Sequence, residues 1–145
     1  MKNNQIESMI SECTKMDVEH IGNELLSFNR SKVPFTQEIP FMKMNYKIEE
    51  NGKIIAGIIS VLYTWSCLFI DLLFVDEKYR NKGYGKALLK KAEYEALKHR
   101  CHLIHLDTFD FQAKEFYIKM GFEVFGILDD CPKGHKRYYM KKTLE

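Results

Sequence analysis

Residues 70–100, IDLLFVDEKYRNKGYGKALLKKAEYEALKHR, admit few folds. An apolar run with strand character ends at Val75. The turn Arg80-Asn81-Lys82-Gly83-Tyr84-Gly85 then leads into a segment where Leu88, Leu89, Ala92 and Ala96 recur at helical spacing. A strand that hands over to an amphipathic helix calls for a sheet on which that helix can lie. The first N–H groups of such a helix lack partners and point outward. Glycine at 83 and 85 removes the Cβ atoms that would hold a bulky anion off the main chain. The helix dipole, with Lys82 and Lys86 beside it, favours a polyanion. The joint fits a pyrophosphate.

The remaining segments supply the sheet. Residues 5–13 read as a weakly marked strand. Thr14 is a candidate N-cap with Asp17 three residues on, and Val18, Ile21, Leu25 and Phe28 then mark an amphipathic helix over 15–28, expected to cover a sheet. Pro34 and Pro40 break the pattern between 29 and 43, where Phe35, Ile39, Phe41 and Met42 still call for something to pack on. Strands over 46–49 and 53–65 flank Glu50-Asn51-Gly52, a tight-turn signal, and the second is apolar enough to be buried on both faces. A third strand spans 68–75. After the glycine joint come a helix to about Arg100, a strand over 102–109, and a short helix over 113–120 stopped by Gly121 with Phe122 as its apolar contact. A hairpin of 123–128 and 136–141 ends the chain. The basic residues Lys98, His99 and Arg100 suit the dipole at the end of the long helix.

Composition narrows the function classes. At 145 residues and 46% hydrophobic, the chain has material for one core, and a single domain over 1–145 is expected. A net charge of +2 with 29% charged residues gives no basic face for nucleic acid. No apolar run approaches the roughly 20 residues a membrane helix needs, and the polar N-terminus lacks the centre of a signal peptide. Cys13, Cys67, Cys101 and Cys131 form no CxxC pair, which fits reduced thiols in a cytoplasmic chain. His99, His102 and His105 have no ligand spacing, and residues three apart on a strand face opposite sides, so no metal is expected.

Two common phosphate motifs are absent. Arg80 stands where a Walker loop needs its first glycine and Ala87 where it needs a hydroxyl; Leu88 replaces the third glycine of a dinucleotide fingerprint. Instead, Val75-Asp76-x-x-Tyr79-Arg80-x-Lys82-Gly83-x-Gly85-x-x-Leu88-Leu89 resembles the acyl-CoA signature of the GNAT N-acetyltransferase superfamily, Arg/Gln-x-x-Gly-x-Gly/Ala. Ala113-x-x-Phe116-Tyr117-x-Lys119-x-Gly121-Phe122 independently resembles that family's second CoA-side motif, in the family's order and separation. The resemblance covers most of the chain from Lys15 onward and is weakest between 29 and 44. It implies an α/β fold: a GNAT-like mixed, mostly antiparallel central sheet flanked by helices on both faces.

The resemblance further implies an N-acetyltransferase that moves the acetyl group of acetyl-CoA directly to an amine, through a tetrahedral intermediate and without an acyl-enzyme. The acceptor would be a small amine, amino acid, peptide or drug, and a homodimer is in keeping with many relatives. The main-chain N–H groups of Lys82, Gly83, Tyr84, Gly85 and Lys86 would hold the pyrophosphate. Arg80, Asn81, Gln112 and Lys114 would add contacts to CoA. The strand end at Phe74 and Val75 would splay to admit the pantetheine, with a main-chain N–H near Val75 as oxyanion donor. Tyr117 matches the tyrosine that protonates the departing thiolate; its alternative is a ring packed with Phe116.

Some positions are less determined. Asp110 stands where many members carry asparagine; it can cap the short helix but cannot donate an amide bond, which Gln112 could supply instead. Asp71, placed by simple alternation with Phe69, Leu73 and Val75, is a candidate base if desolvated, or else a structural acceptor. Asp107 has a similar claim. Phe28, Phe35, Asp107, Asp129 and His135 are the acceptor-side candidates, although Asp129 and Asp130 also suit a plain turn before Pro132-Lys133-Gly134. A CoA-binding module without turnover is the rival reading from another class.

Overall fold

The computed structural model describes residues 2–145, which form two compact units, residues 2–35 and Thr36–Glu145. The first unit is helical. Residues 5–13, expected as a strand, instead continue a short helix α1 (Lys2–Glu7) into a turn and an extended stretch. Nothing in that segment alternates strongly enough to favour a strand. Helix α2 (Lys15–Lys32) starts at Thr14 as expected: the Thr14 hydroxyl accepts from the Asp17 N–H at 3.2 Å, and an Asp17 carboxylate oxygen accepts from the Thr14 N–H at 2.7 Å. It runs four residues past the predicted end. Within its own unit the apolar stripe is exposed, Val18 at 62% and Phe28 at 57%.

The second unit is a seven-stranded sheet in the order β1-β3-β4-β5-β7-β6, with β2 also paired to β3. The strands are β1 (Phe41–Lys43), β2 (Tyr46–Glu50), β3 (Lys53–Tyr63), β4 (Cys67–Val75), β5 (Leu103–Phe109), β6 (Glu123–Asp129) and β7 (Lys136–Thr143). Helix α3 (Tyr84–Leu97) joins β4 to β5, and the short helix α4 (Lys114–Lys119) joins β5 to β6. The β4–β5 pairing is parallel, while every other pairing is antiparallel. That follows from connectivity, because a helical crossover is what lets neighbouring strands run the same way.

The β2–β3 turn forms as the sequence requires, with Asn51 at φ 52° and Gly52 at φ 76°, the left-handed pair of a tight hairpin. The core lies between α3 and one face of the sheet. Leu88, Leu89, Ala92 and Ala96 of α3 are all buried, against Ile58, Leu62, Leu68, Ile70, Ile104, Leu106 and Met140. Strand β3 is not buried on both faces as expected: Ile54 is 51% and Ile59 40% exposed.

One irregularity resets β4. Ile59 opposes Leu72 and Ser60 opposes Ile70, so Asp71 is an extra residue, a β-bulge. Before it, Leu68 and Ile70 face the core; after it, Leu73 and Val75 do. Asp71 therefore does not share a face with Leu73 and Val75 by simple alternation. It is exposed, as is Leu72 beside it.

Leu89 is fully buried at the centre of α3, so Leu89→Ala should cost about 2–5 kcal/mol, read as a lower denaturant midpoint with unchanged slope.

Candidate active site

Where β4 and β5 part company, the sheet opens. Their ladder runs from Cys67 opposite Leu103 to Ile70 opposite Leu106 and stops there. Beyond it, residues 72–75 stay with β3 while 107–109 stay with β7. Asp71 and Asp107 are the first residues past the last pair. Strand twist and the bulge at Asp71 both bend β4 away from its neighbour.

The main chain of β4 turns towards this gap. Asp76 N–H donates to Ile55 O at 2.8 Å, making those residues a hydrogen-bonded pair. Val75 opposite Ala56, and Leu73 opposite Ile58, are then non-hydrogen-bonded pairs, whose N–H groups point away from β3 to the side that β5 has left. The Val75 carbonyl accepts from Arg80 Nε at 3.1 Å, which fixes the start of the loop. A 3₁₀ turn, Glu77–Tyr79, follows, with the Asp76 carboxylate accepting from Lys78 N–H at 3.0 Å. The Lys53 ammonium, 3.1 Å away, is the main cause that holds the Asp76 carboxyl below its ordinary value.

The loop then delivers α3. Asn81 has φ 61°, and Gly83 is the N-cap of α3 with φ 91° and no side-chain cap. Ala87 N–H is the first to bond back, to Gly83 O at 3.0 Å, so the N–H groups of Tyr84, Gly85 and Lys86 face outward without helical acceptors. The two glycines act differently. Gly83 is needed for its left-handed backbone, and a Cβ there would meet nothing within 4 Å. A Cβ on Gly85 would lie 3.5 Å from Val75 Cγ2 and 3.6 Å from Phe116 Cζ, which is ordinary contact. Gly85 thus places the first turn of α3 against the end of β4 and against α4.

Tyr117 of α4 is only 5% exposed and packs edge-on to Phe116 and Phe122. Burial pushes its hydroxyl up to about 12, with the Asp107 charge adding to the shift, so the phenol keeps its proton throughout the neutral range. Gly121 at φ 94° and buried Phe122 end α4 as expected.

Several polar candidates are differently employed. Asp110 does not cap α4, which starts at Ala113 without a side-chain cap. Its carboxylate accepts from Lys136 N–H at 2.9 Å and pairs with His135 Nδ1 at 2.9 Å. It therefore clasps the last hairpin to the end of β5, and those bonds, the Lys136 N–H foremost, hold its carboxyl below the ordinary value. Gln112 Oε1 accepts from Phe109 N–H at 3.0 Å, folding the side chain back over β5. Asp107 is held by Arg137 through Nη2 at 2.6 Å and Nε at 2.9 Å. Asp129 pairs with Lys136. Lys114 lies over the Tyr138 ring at 4.6 Å. In the other unit, Phe28 is exposed and Phe35 lies under the Arg30 guanidinium at 4.6 Å.

Long-range contacts add residues that local sequence patterns leave out: Arg137 on Asp107, and Tyr63 on His105 at 2.7 Å. The one local signal was spacing, since His105 and Asp107 lie two apart on a strand and share a face. Two cavities, of about 300 and 280 Å³, lie elsewhere, lined by Gln37, Met42 and Arg100 in one and Trp65, Arg100 and His102 in the other. They sit at the carboxyl end of α3, roughly 20 Å along the helix from Gly83, so the Thr36–Met42 segment walls that end rather than the gap. Among the described residues no His, Cys, Asp or Glu side chains group to hold a metal, and no helix is long and apolar enough to cross a membrane.

Residues 6–122 match the profile of the acetyltransferase (GNAT) family. The chain belongs to that family. As a GNAT protein it is an acyltransferase, and the mixed sheet is the family's fold. A crystal structure of an acetyltransferase from Bacillus cereus is 37% identical with a TM-score of 0.83, covering 93% of this chain and 96% of that one. Blasticidin-S acetyltransferase of Streptomyces morookaense is 32% identical over 100 residues, 68% of this chain and 73% of the relative. An acetyltransferase of Bacillus anthracis, determined in complex with acetyl coenzyme A, is 25% identical with a TM-score of 0.63, over 71% of this chain and 64% of that one.

The two glycines should respond differently to alanine. Gly83→Ala places a Cβ on a left-handed residue and should cost about 1–2 kcal/mol, whereas Gly85→Ala should stay within about 0.5 kcal/mol in the same unfolding titration.

Proposed function

We propose that this protein transfers the acetyl group of acetyl-CoA to the nitrogen of a small amine. The observation that carries the reading is the gap beyond Ile70 and Leu106, with β4 main-chain donors turned into it and the free N–H groups of α3 at its mouth. The residues fit the cosubstrate at both ends. The N–H groups from Gly83 to Lys86, with the charges of Lys82 and Lys86, suit the pyrophosphate, and the open sheet suits a narrow, extended pantetheine. Arg80 and Asn81 shape that loop, while Gln112 and Lys114 stand near its other wall by their place around α4.

The β4 N–H groups of Leu73 and Val75 are the oxyanion donors in this reading. They are fixed by the strand, so no reorganisation is needed as charge grows on the carbonyl oxygen. Tyr117 gives a proton, or a strong hydrogen bond, to the departing sulfur; its raised pKa keeps the proton available at every working pH. Asp71 stands exposed at the start of the gap, where a carboxylate attracts a cationic amine. The last hairpin, with Asp129 and His135, borders the same side through the Asp110 clasp. A small amine as acceptor is supported by the likeness to an enzyme named for blasticidin S.

The direct test is release of free thiol from acetyl-CoA in the presence of blasticidin S and simple primary amines. Amine-dependent release is expected; saturable CoA binding with no release would point instead to a binding module. Tyr117→Phe should lower kcat roughly 100-fold while leaving acetyl-CoA affinity nearly unchanged. An unaltered kcat removes the acid role from Tyr117.

A further inference from the structure

An amine reaches an enzyme largely protonated and must give up a proton to attack a carbonyl. The two carboxylates at the start of the gap are poorly placed to receive it. Asp107 is held by Arg137, whose Nε and Nη2 both engage its Oδ1, which favours the charged form of the carboxylate. Asp71 sits exposed on its bulge with nothing around it to exclude water.

A third group lies just behind them. His105 opposes Phe69 in the β4–β5 ladder, one pair before the strands separate. It shares a face of β5 with Asp107, on the side away from the α3 core, where Ile104, Leu106 and Thr108 are buried. Its ring is held by two residues, Tyr63 and Phe69. Tyr63 Oη lies 2.7 Å from Nε2, the Phe69 ring centroid is 5.1 Å away, and the Tyr63 ring meets it edge-on at 5.7 Å. One nitrogen is thus engaged by the phenol of Tyr63, and Nδ1 makes no hydrogen bond to another described residue.

Resting on the acetyl-transfer reading above, the geometry points to His105 as the proton acceptor for the amine, with Tyr63 as the positioning residue that sets its tautomer. Nε2–H donates to the Tyr63 oxygen, which leaves the lone pair of Nδ1 for the incoming proton. Asp107 lies two residues on, about 7 Å along the strand, and in this proposal a solvent molecule stands between the gap and Nδ1. The amine N–H bond breaks, the nitrogen keeps the electron pair and forms the C–N bond, and the proton passes through that solvent molecule to Nδ1. The resulting imidazolium keeps its bond to Tyr63 and later loses its proton to water.

The electrostatic setting agrees. Burial lowers the pKa of His105, opposed by the nearby Asp107 charge, so the ring is a neutral base at pH 7. The titratable groups near it are Tyr63 from β3, Asp107 on its own strand and Lys141 from β7, its partner in register. Burial pushes Tyr63 up to about 12, so it stays a neutral phenol while His105 titrates. The sign follows. A lowered pKa puts the acidic limb of the kcat profile below the ordinary histidine value of about 6.5, and activity falls as pH drops through it.

The test compares His105→Gln, Tyr63→Phe and Asp71→Asn with the unaltered protein, using acetyl-CoA with blasticidin S and, separately, the slow hydrolysis of acetyl-CoA. Glutamine keeps the bond to Tyr63 without a titrating nitrogen. His105→Gln is expected to lower turnover roughly 100-fold and erase the acidic limb, with acetyl-CoA binding unchanged. Tyr63→Phe should move that limb while retaining part of the rate, and Asp71→Asn should leave the limb in place. A full rate and intact limb in His105→Gln would overturn the proposal, as would loss of the limb in Asp71→Asn alone. An NMR titration of the His105 ring in the unaltered protein gives a second readout: its pKa should coincide with the acidic limb of the kcat profile, and a clear mismatch counts against the proposal. Absence of thiol release by the unaltered protein would count against acetyl transfer itself, whereas release at full rate in His105→Gln would count against His105 alone.

Discussion

The structure depends on a parallel pairing that ends early. Four residue pairs hold β4 to β5, from Cys67–Leu103 to Ile70–Leu106, and α3 seals them from one side with Leu88, Leu89, Ala92 and Ala96. Had the ladder continued, the N–H groups of Leu73 and Val75 would be consumed as ordinary sheet bonds. Because it stops, they are left as donors in a fixed direction, and a buried donor without a partner is costly unless something else arrives to accept. The bulge at Asp71 is what lets β4 stay bonded to β3 while it leaves β5.

The helices exploit the same opening. α3 begins where β4 ends, so its unpartnered N–H groups stand at the gap, and Phe116 of α4 meets Gly85 and so closes the other side. The end of β4, the first turn of α3 and Phe116 of α4 come together at Gly85, reached through left-handed backbone at Asn81 and Gly83. The active-site candidates are thus products of where elements stop. The two cavities at the far end of α3 lie away from that opening.

Much of this was legible in the sequence because it is local. The 3.6-residue repeat of α3, the Asn51-Gly52 turn and the Gly121-Phe122 stop each involve neighbours, and each formed where its residues required. What escaped was non-local or unmarked. No glycine or proline advertises the bulge at Asp71, so simple alternation carried its face on to Leu73 and Val75, which the extra residue turns to the other side. Asp110 had a sound local role as a helix cap, yet its carboxylate is taken by His135 and Lys136, more than twenty residues away in sequence. Residues 5–13 have too little pattern to choose between helix and strand. Arg137 on Asp107 and Tyr63 on His105 exist only because the sheet brings four strands together.

The bulge also acts as a phase marker. Up to Ile70, even-numbered side chains of β4 look towards α3; from Leu73 on, odd-numbered ones do. A chain lacking residue 71 could keep every hydrophobic residue of this strand and still be misread by its own sheet, because the single extra residue carries the parity of all that follows. The identity of the amino acid at 71 matters to chemistry, but its mere presence sets the frame in which the glycine loop is delivered. Length, at this one position, is information that no substitution can supply.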